Sequence, residues 1–333
     1  MKKILIVSDA WEPQVNGVVT TLKHLVKELK SQGYTVDLVS TNDAKIKIPT
    51  PYPDVYIAFG GKKPKDVVPH YDYLHIATPE GSVGKKYLNY AIKNKLKFTT
   101  GYHTKWPEFL HAMYKIPMKL TYWYMRKLHK HSSAVLVPTQ TAGTELAQQG
   151  FKNAVTWTRG VDRDQFTLNL FPDNYIVCVS RVSKEKNLDD FCKLETGFDK
   201  VLVGDGPYLE ELKKKYPYIT YTGVKHGKEL AEYYSNAKCF VFPSKSDTFG
   251  VVMIESMACG TPVAAYPVTG PLDVIDFGKT GYMSDSLEDA VDKCLDLNRS
   301  LVWEYSKKWT WEESANQFRK SLIKINYHTS KPQ

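Results

Sequence analysis

Residues 246–263 read SDTFGVVMIESMACGTPV. Two carboxylates, Asp247 and Glu255, stand eight positions apart, separated by a loop-like DTFG and the start of an apolar run. Just upstream, KCFVFPS is a short apolar run of strand type. KSDTFG then reads as a loop, and VVMIESMAC as a helix ended by Gly260 and Pro262. A further strand, TPVAAYP, follows. Continuous apolar strands alternating with helices are the pattern of a parallel sheet covered on both faces. The backbone N–H groups of Phe249, Gly250 and Val251 at the start of this helix form an anion site. Asp247, just ahead of it, is also placed to be an ordinary N-cap.

The same pattern extends outward in both directions. In the first half KILIVS leads through a loop into GVVTTLKHLVKELKSQG, with helical spacing of apolar residues, and then YTVDLVS, YLHIA, LKFTTGYH and AVLVPT. In the second half the strands are YIVCVS, KVLVGDG, TYTGV, KCFVFPS and TPVAAYP. Two parallel sheets in one chain predict two Rossmann-like domains, with ligands beyond the carboxyl ends of the strands and in the cleft between the domains. The boundary falls in the turn-rich RGVDRDQFTLNLFPDN. This gives an N-terminal domain at 1–168 and a C-terminal domain from 169 onward. No solenoid period and no low-complexity tract interrupts the pattern.

The chain has 333 residues, 42% apolar and 24% charged, enough for two cores and against global disorder. No apolar run approaches the roughly 18 residues of a membrane-spanning helix. The opening MKKILIVSDAWEP has an apolar stretch of only ILIV before Ser8, Asp9 and Glu12, so it reads as a first strand, not a signal peptide. Five cysteines without a CxxC pair fit reduced thiols in a cytoplasmic protein. The net charge of +9 is uneven: residues 1–170 carry 24 Lys/Arg against 13 Asp/Glu, and residues 171–333 carry 21 against 23. A basic first half suits an anionic partner, a membrane surface or a nucleic acid.

Three further loops follow strands. After KILIVS, Asn16-Gly17 opens a helix, where a glycine allows close backbone approach and the helix N-terminus favours phosphate. After YIVCVS, RVSKEKN offers Arg181, Lys184 and Lys186 as fixed cations of the kind a diphosphate leaving group needs. Lys184 and Lys186 are equally basic, and the sequence does not separate them. After KVLV, Gly204-Asp205-Gly206-Pro207 turns the chain beside a second helix.

Together these residues resemble the retaining glycosyltransferases of family 4, of the GT-B fold. The resemblance is carried in order by the Asn16-Gly17 loop, GYHT around His103, RGVD at 159–162, RVSKEKN, VGDGP, TGV at 222–224, SDTFGVVMIESMACGTPV and the late WTWEESANQF. The first acid is Asp247 where many members carry glutamate. SDTFG is similar to the branch of sulfoquinovosyl- and glucosyl-diacylglycerol synthases and some mannosyltransferases. The resemblance implies two Rossmann-like domains facing each other across a cleft, an acceptor-binding one at 1–168 and a nucleotide-sugar-binding one at 169–305, with a tail helix at 306–333 folding back toward the N-terminal domain. It implies that Glu255 holds the ribose of a nucleotide sugar and that Asp247 contacts the transferred hexose. Thr248, Phe249, Gly250 and Val251 would lie on sugar and phosphate. Arg181 and Lys186 would neutralise the diphosphate, Gly17 would approach it, Gly204 and Val224 would flank the nucleotide, and His103 would face the reacting carbon. It implies no cofactor and no metal. The DRD at 162–164, which mimics a metal motif, takes a hinge position.

The resemblance places the acceptor on the N-terminal domain. There FLHAMYKIPMKLTYWYMRKLHKHSS mixes aromatic and cationic residues. Tyr122, Trp123, Met125 and Leu128 are read as an apolar edge beside Lys119, Arg126, Lys127 and Lys130, the composition of a helix in a membrane interface. The alternative is an amphipathic helix packed inward. KKPK at 62–65 and GKKYLNYAIKNKLK add charge, and each basic residue near an anionic bilayer contributes roughly 1 kcal/mol. The expectation is a UDP- or GDP-hexose donor, a lipid acceptor such as diacylglycerol or alternatively a glycan, and a cytoplasmic enzyme peripheral to the inner membrane face. Two other readings compete. A glycoside hydrolase would use Asp247 and Glu255 as a pair roughly 5–9.5 Å apart, but has no use for the basic loop. A nucleic-acid-binding protein would explain the charge, but no recognised motif supports it.

Overall fold

The computed structural model describes residues 2–14, 16–49 and 56–327. The chain divides into two compact units. One comprises residues 1–107, 116–158 and 311–333, the other 108–115 and 159–310. The expected tail segment ends at 328–333, outside the described residues.

The first unit contains strands β1 (Lys3–Ser8), β2 (Thr35–Ser40), β3 (Ile46–Pro49), β4 (Tyr56–Phe59), β5 (Tyr73–Ile76), β6 (Thr99–Gly101), β7 (Ala134–Val137) and β8 (Ala154–Thr156). Six of them form a sheet in the order β2-β1-β5-β6-β7-β8, with every pairing parallel. β3 and β4 form a separate antiparallel pair. Ile4, Leu5, Ile6 and Val7 are fully buried, which is why β1 reads as one apolar run and not as an alternating one. The helix Trp311–Ser321 lies against the helix Gly17–Ser31, with the His24 and Trp311 rings stacked at 4.4 Å. Trp157, fully buried, packs against Phe318 at 5.1 Å between ring centres and donates from Nε1 to Ser314 Oγ at 3.1 Å.

The second unit contains β9 (Tyr175–Val179), β10 (Asp199–Val203), β11 (Thr220–Gly223), β12 (Cys239–Phe242), β13 (Val263–Ala265) and β14 (Gly281–Met283). They form a parallel sheet in the order β11-β10-β9-β12-β13-β14. In this doubly wound order the direction of winding reverses between β9 and β12. That reversal opens a crevice at the carboxyl ends of these two strands. The loops that follow β9 and β12 are RVSKEKN and KSDTFG.

One expectation is corrected. In the helix Met118–His129, Tyr122, Met125 and Leu128 are 7%, 2% and 5% exposed and belong to the core of the first unit. Their spacing puts them on one helical face, and that face packs inward. Of the proposed apolar edge only Trp123 is exposed, with Lys127 over its ring at 5.7 Å. Lys119, Lys127 and Lys130 reach water, whereas Arg126 is half-buried and donates from Nη1 to Gln149 O at 2.8 Å.

Candidate functional site

The crevice of the second unit gathers the loop residues marked by the sequence. After β9, Lys184–Lys186 form a single tight helical turn, and Asn187 adopts a left-handed conformation with φ 54°. This turn separates the two lysines. Lys184 points outward to Glu211 at 3.1 Å and over the Tyr208 ring. Lys186 points inward, and its Nζ lies 2.7 Å from Asp247 Oδ1. Asn187 Nδ2 donates to Pro243 O at 3.3 Å and Ser246 Oγ to Glu185 O at 3.2 Å, so the two loops are tied together at three points. Burial alone would raise the Asp247 carboxyl. The charge and hydrogen bond of Lys186, with a hydrogen bond from Ser244, outweigh it and hold Asp247 below the ordinary aspartate range.

Asp247 therefore caps no helix. The helix Val251–Ala258 has Gly250 as its N-cap, at φ 83°, a residue with no side chain to cap it. Thr248 and Phe249 are buried, and Phe249 sits edge-on to Trp309 at 5.4 Å. The first turn carries the positive end of the helix dipole, four residues beyond Asp247, the partner of Lys186.

Glu255 lies one turn further along. Tyr234 Oη donates to Glu255 Oε2 at 2.9 Å. Burial pushes the Glu255 carboxyl up to about 7, and the Tyr234 hydrogen bond works against that rise. Gly204 follows β10 at φ 140°. A Cβ there would stand 1.9 Å from Ser180 O, so only glycine lets this loop lie against the one after β9. Arg181 is half-buried in the loop after β9, and Val224 is 52% exposed after β11. Asp162 Oδ1 accepts from the Asp164 amide at 3.1 Å, a local turn within DRD.

In the first unit Gly17 begins its helix, and Asn16 caps it by accepting from the amides of Val18 and Val19, both at 3.0 Å. A Cβ on Gly17 would meet nothing within 4 Å, so the fold itself does not demand glycine. His103 follows β6, edge-on to Trp157 at 5.8 Å.

Sequence reasoning missed three groups. Tyr234 is 21 residues from Glu255 and carries no motif. Asp9, after β1, accepts from the Val83 and Gly84 amides at 2.8 Å and from Ser82 Oγ at 2.9 Å, capping the helix Ser82–Lys93 from another element. Glu80, after β5, is pushed by burial up to about 7 and accepts from Trp106 Nε1 at 2.9 Å. Only the position of Asp9 and Glu80 at strand carboxyl ends would have marked them.

Comparison with known proteins agrees with this architecture. The profile of the glycosyl transferases group 1 matches residues 161–309, and that of glycosyltransferase family 4 matches residues 15–165. A GDP-mannose-dependent alpha-mannosyltransferase of Corynebacterium glutamicum is 26% identical over 95% of this chain and 87% of its own length. The sulfoquinovosyl transferase SQD2 of Arabidopsis thaliana is 29% identical over 74% of this chain and 56% of its own. An alpha-monoglucosyldiacylglycerol synthase of Streptococcus pneumoniae is 26% identical over 96% and 84%. The crystal structure of Anabaena HepE with UDP and glucose superposes with a TM-score of 0.72 at 15% identity, covering 96% of this chain and 99% of HepE. The two profiles overlap at 161–165 and together span residues 15–309, and the chain belongs to the family 4, group 1 glycosyltransferases of the GT-B fold.

Proposed function

We propose that the enzyme is a retaining, metal-independent hexosyltransferase. It takes a hexose from a UDP- or GDP-linked donor and places it in α-linkage on a membrane lipid such as diacylglycerol. The observation that carries the donor side is the Lys186–Asp247 pair at the winding reversal, on the loop that leads into the helix Val251–Ala258. In this reading Lys186 and Arg181 face the diphosphate, helped by the helix N-terminus at 249–251. Asp247, oriented by the ion pair, accepts from hydroxyls of the hexose, and Glu255 from the ribose hydroxyls. Gly204 and Val224 flank the nucleotide, Gly17 approaches the phosphates, and His103 lies toward the transferred sugar.

The bond from the anomeric carbon to the diphosphate oxygen breaks, and the acceptor oxygen bonds that carbon on the same face. The acceptor proton passes to a phosphate oxygen of the donor. Negative charge grows on the leaving diphosphate, so preplaced cations and backbone dipoles stabilise the transition state more than the ground state.

A lipid acceptor is supported by the relatives named for sulfoquinovosyl transfer and monoglucosyldiacylglycerol synthesis. In this reading the enzyme works peripherally at the inner face of the membrane. Among the described residues no helix is long and apolar enough to cross one. A second reading, mannosyl transfer in glycan assembly, is supported by the GDP-mannose-dependent relatives. A donor screen scoring nucleotide release, with and without anionic liposomes containing diacylglycerol, separates the two. Release with GDP-mannose and no gain from the lipid would favour the second reading. Proton NMR of the product gives the anomeric configuration.

A further inference from the structure

The β3–β4 hairpin inverts the usual pattern of a water-facing sheet. Ile46 pairs with Phe59 and Ile48 with Ile57. Residues directly opposite share a face, as do alternate residues along a strand. Ile46, Ile48, Ile57 and Phe59 therefore form one face, and they are 60%, 49%, 46% and 51% exposed. The orientation is fixed from behind. Ala58 on the other face is buried in the core, and its amide donates to Ser82 Oγ at 2.9 Å. Lys86 Nζ donates to Gly60 O at 3.0 Å and to Lys62 O at 2.9 Å, holding the end of the hairpin to the helix Ser82–Lys93. The hairpin cannot turn over to hide its apolar face without giving up these contacts.

Exposed lysines flank the two strands in sequence, and Lys47, opposite Ala58, lies on the reverse face. Among the described residues of 42–66, Lys45, Lys47, Lys62, Lys63 and Lys65 are all exposed. The acids among them are Asp43, which pairs with Lys62 at 2.8 Å, and Asp66. Four large exposed apolar side chains on strands flanked by exposed lysines fit one partner best. An anionic bilayer takes the apolar groups among its acyl chains and the ammonium groups at its phosphates. A second copy of the chain would bring two lysine-rich segments toward each other. Four half-exposed side chains also cannot supply the roughly 800 Å² that each partner buries in a standard protein interface.

We propose that the β3–β4 hairpin is the element that enters an anionic lipid surface, with Ile46, Ile48, Ile57 and Phe59 as the inserted groups. The proposal rests on the lipid-acceptor reading and moves the apolar contact from the helix Met118–His129, whose apolar face is buried, to the hairpin. The helix Ser82–Lys93 touches both elements, since Lys85 Nζ donates to Tyr124 Oη at 3.2 Å. The cations of Met118–His129 thus lie one helix away from the hairpin.

The test is partition of the full chain onto vesicles of phosphatidylcholine, with and without an equal part of phosphatidylglycerol. The double variant Ile48→Thr/Ile57→Thr keeps strand-forming residues while removing apolar surface. It is expected to lower the partition constant onto the mixed vesicles by roughly tenfold. Turnover on detergent-dispersed acceptor should stay unchanged. Ile57→Trp should show a blue-shifted emission on mixed vesicles and quenching by lipids brominated along the acyl chain. Unchanged partition of the double variant, or no quenching of the tryptophan beyond that of wild type, would overturn the proposal. So would failure of wild type to bind mixed vesicles, or a dimer that the double variant abolishes. Failure of the lipid-acceptor reading shows separately, as absence of transfer to detergent-dispersed diacylglycerol.

Discussion

Lys186 and Asp247 lie 61 residues apart in the sequence and 2.7 Å apart in the fold, each on the loop beyond a neighbouring strand. It is the one charged contact of the three that tie together the two loops bounding the winding reversal. Lys186→Ala leaves the partly buried Asp247 carboxylate without its counter-charge. We expect kcat/KM to fall by about 2–4 kcal/mol for Lys186→Ala and for Arg181→Ala. Lys184→Ala should stay within about 0.5 kcal/mol, because its partner Glu211 is exposed. Steady-state kinetics on the three variants checks this, and equal losses at 184 and 186 would move the phosphate site.

The same pair sets an acid limit. Asp247 titrates below its ordinary value, so its contribution to stability is present above that value and disappears as pH falls through the folded-state pKa. Lys186→Met should flatten the fall of Tm on the acid side of pH 4. Unchanged Tm–pH slopes would assign acid unfolding to other carboxylates.

Glu255 works in the opposite direction. Its carboxyl is held up at about 7, so the folded state retains a proton that the unfolded state has already lost. Its contribution to stability is therefore largest below about pH 4.5 and declines as pH rises toward 7. As a ribose acceptor it must be ionised, so the KM for donor should rise as pH falls below about 7. Tyr234→Phe removes the hydrogen bond that lowers this pKa and should move that rise to higher pH. Glu255→Ala should raise the KM for donor more than it lowers kcat. A pH profile of KM that is flat in wild type, or identical in Tyr234→Phe, would refute this assignment.

Two glycines separate structural from functional demand. Gly204→Ala drives a Cβ to 1.9 Å from Ser180 O and should cost about 2–4 kcal/mol of stability by denaturant unfolding. Gly17→Ala meets nothing and should leave Tm unchanged, while lowering kcat/KM for donor severalfold if donor phosphates approach that backbone. A Gly17→Ala enzyme with normal kinetics would remove Gly17 from the donor site.

Chelator should leave turnover intact, because the proposed charge stabilisation comes from Arg181, Lys186 and backbone N–H groups. Loss of activity that manganese restores would bring Asp162 and Asp164 back as candidates.

The parallel sheets and the loops that follow β9 and β12 were legible because apolar strands and turn residues are local signals. What the sequence left open depended on direction and distance. Lys184 and Lys186 are chemically equivalent, and only the turn they share sends one outward and one toward Asp247. The helix Met118–His129 is amphipathic on any reading, but periodicity does not say whether Tyr122, Met125 and Leu128 meet a core or a membrane. IKIP and YIAF are too short to stand out, and their common face exists only once the strands are paired.

The placement of Trp311–Ser321 bears on how the chain folds as it is made. Trp157 is fully buried and Phe318 and Ser314 complete its surroundings, so the core of the first unit stays open until those residues are synthesised. By then every residue of 159–310 has been made. The unit whose sequence begins first is thus the one that closes last, reversing the usual order of co-translational folding. Until then it exposes the socket of Trp157, and a ribosome stalled before residue 311 should carry a protease-resistant second unit ahead of a protease-sensitive first one.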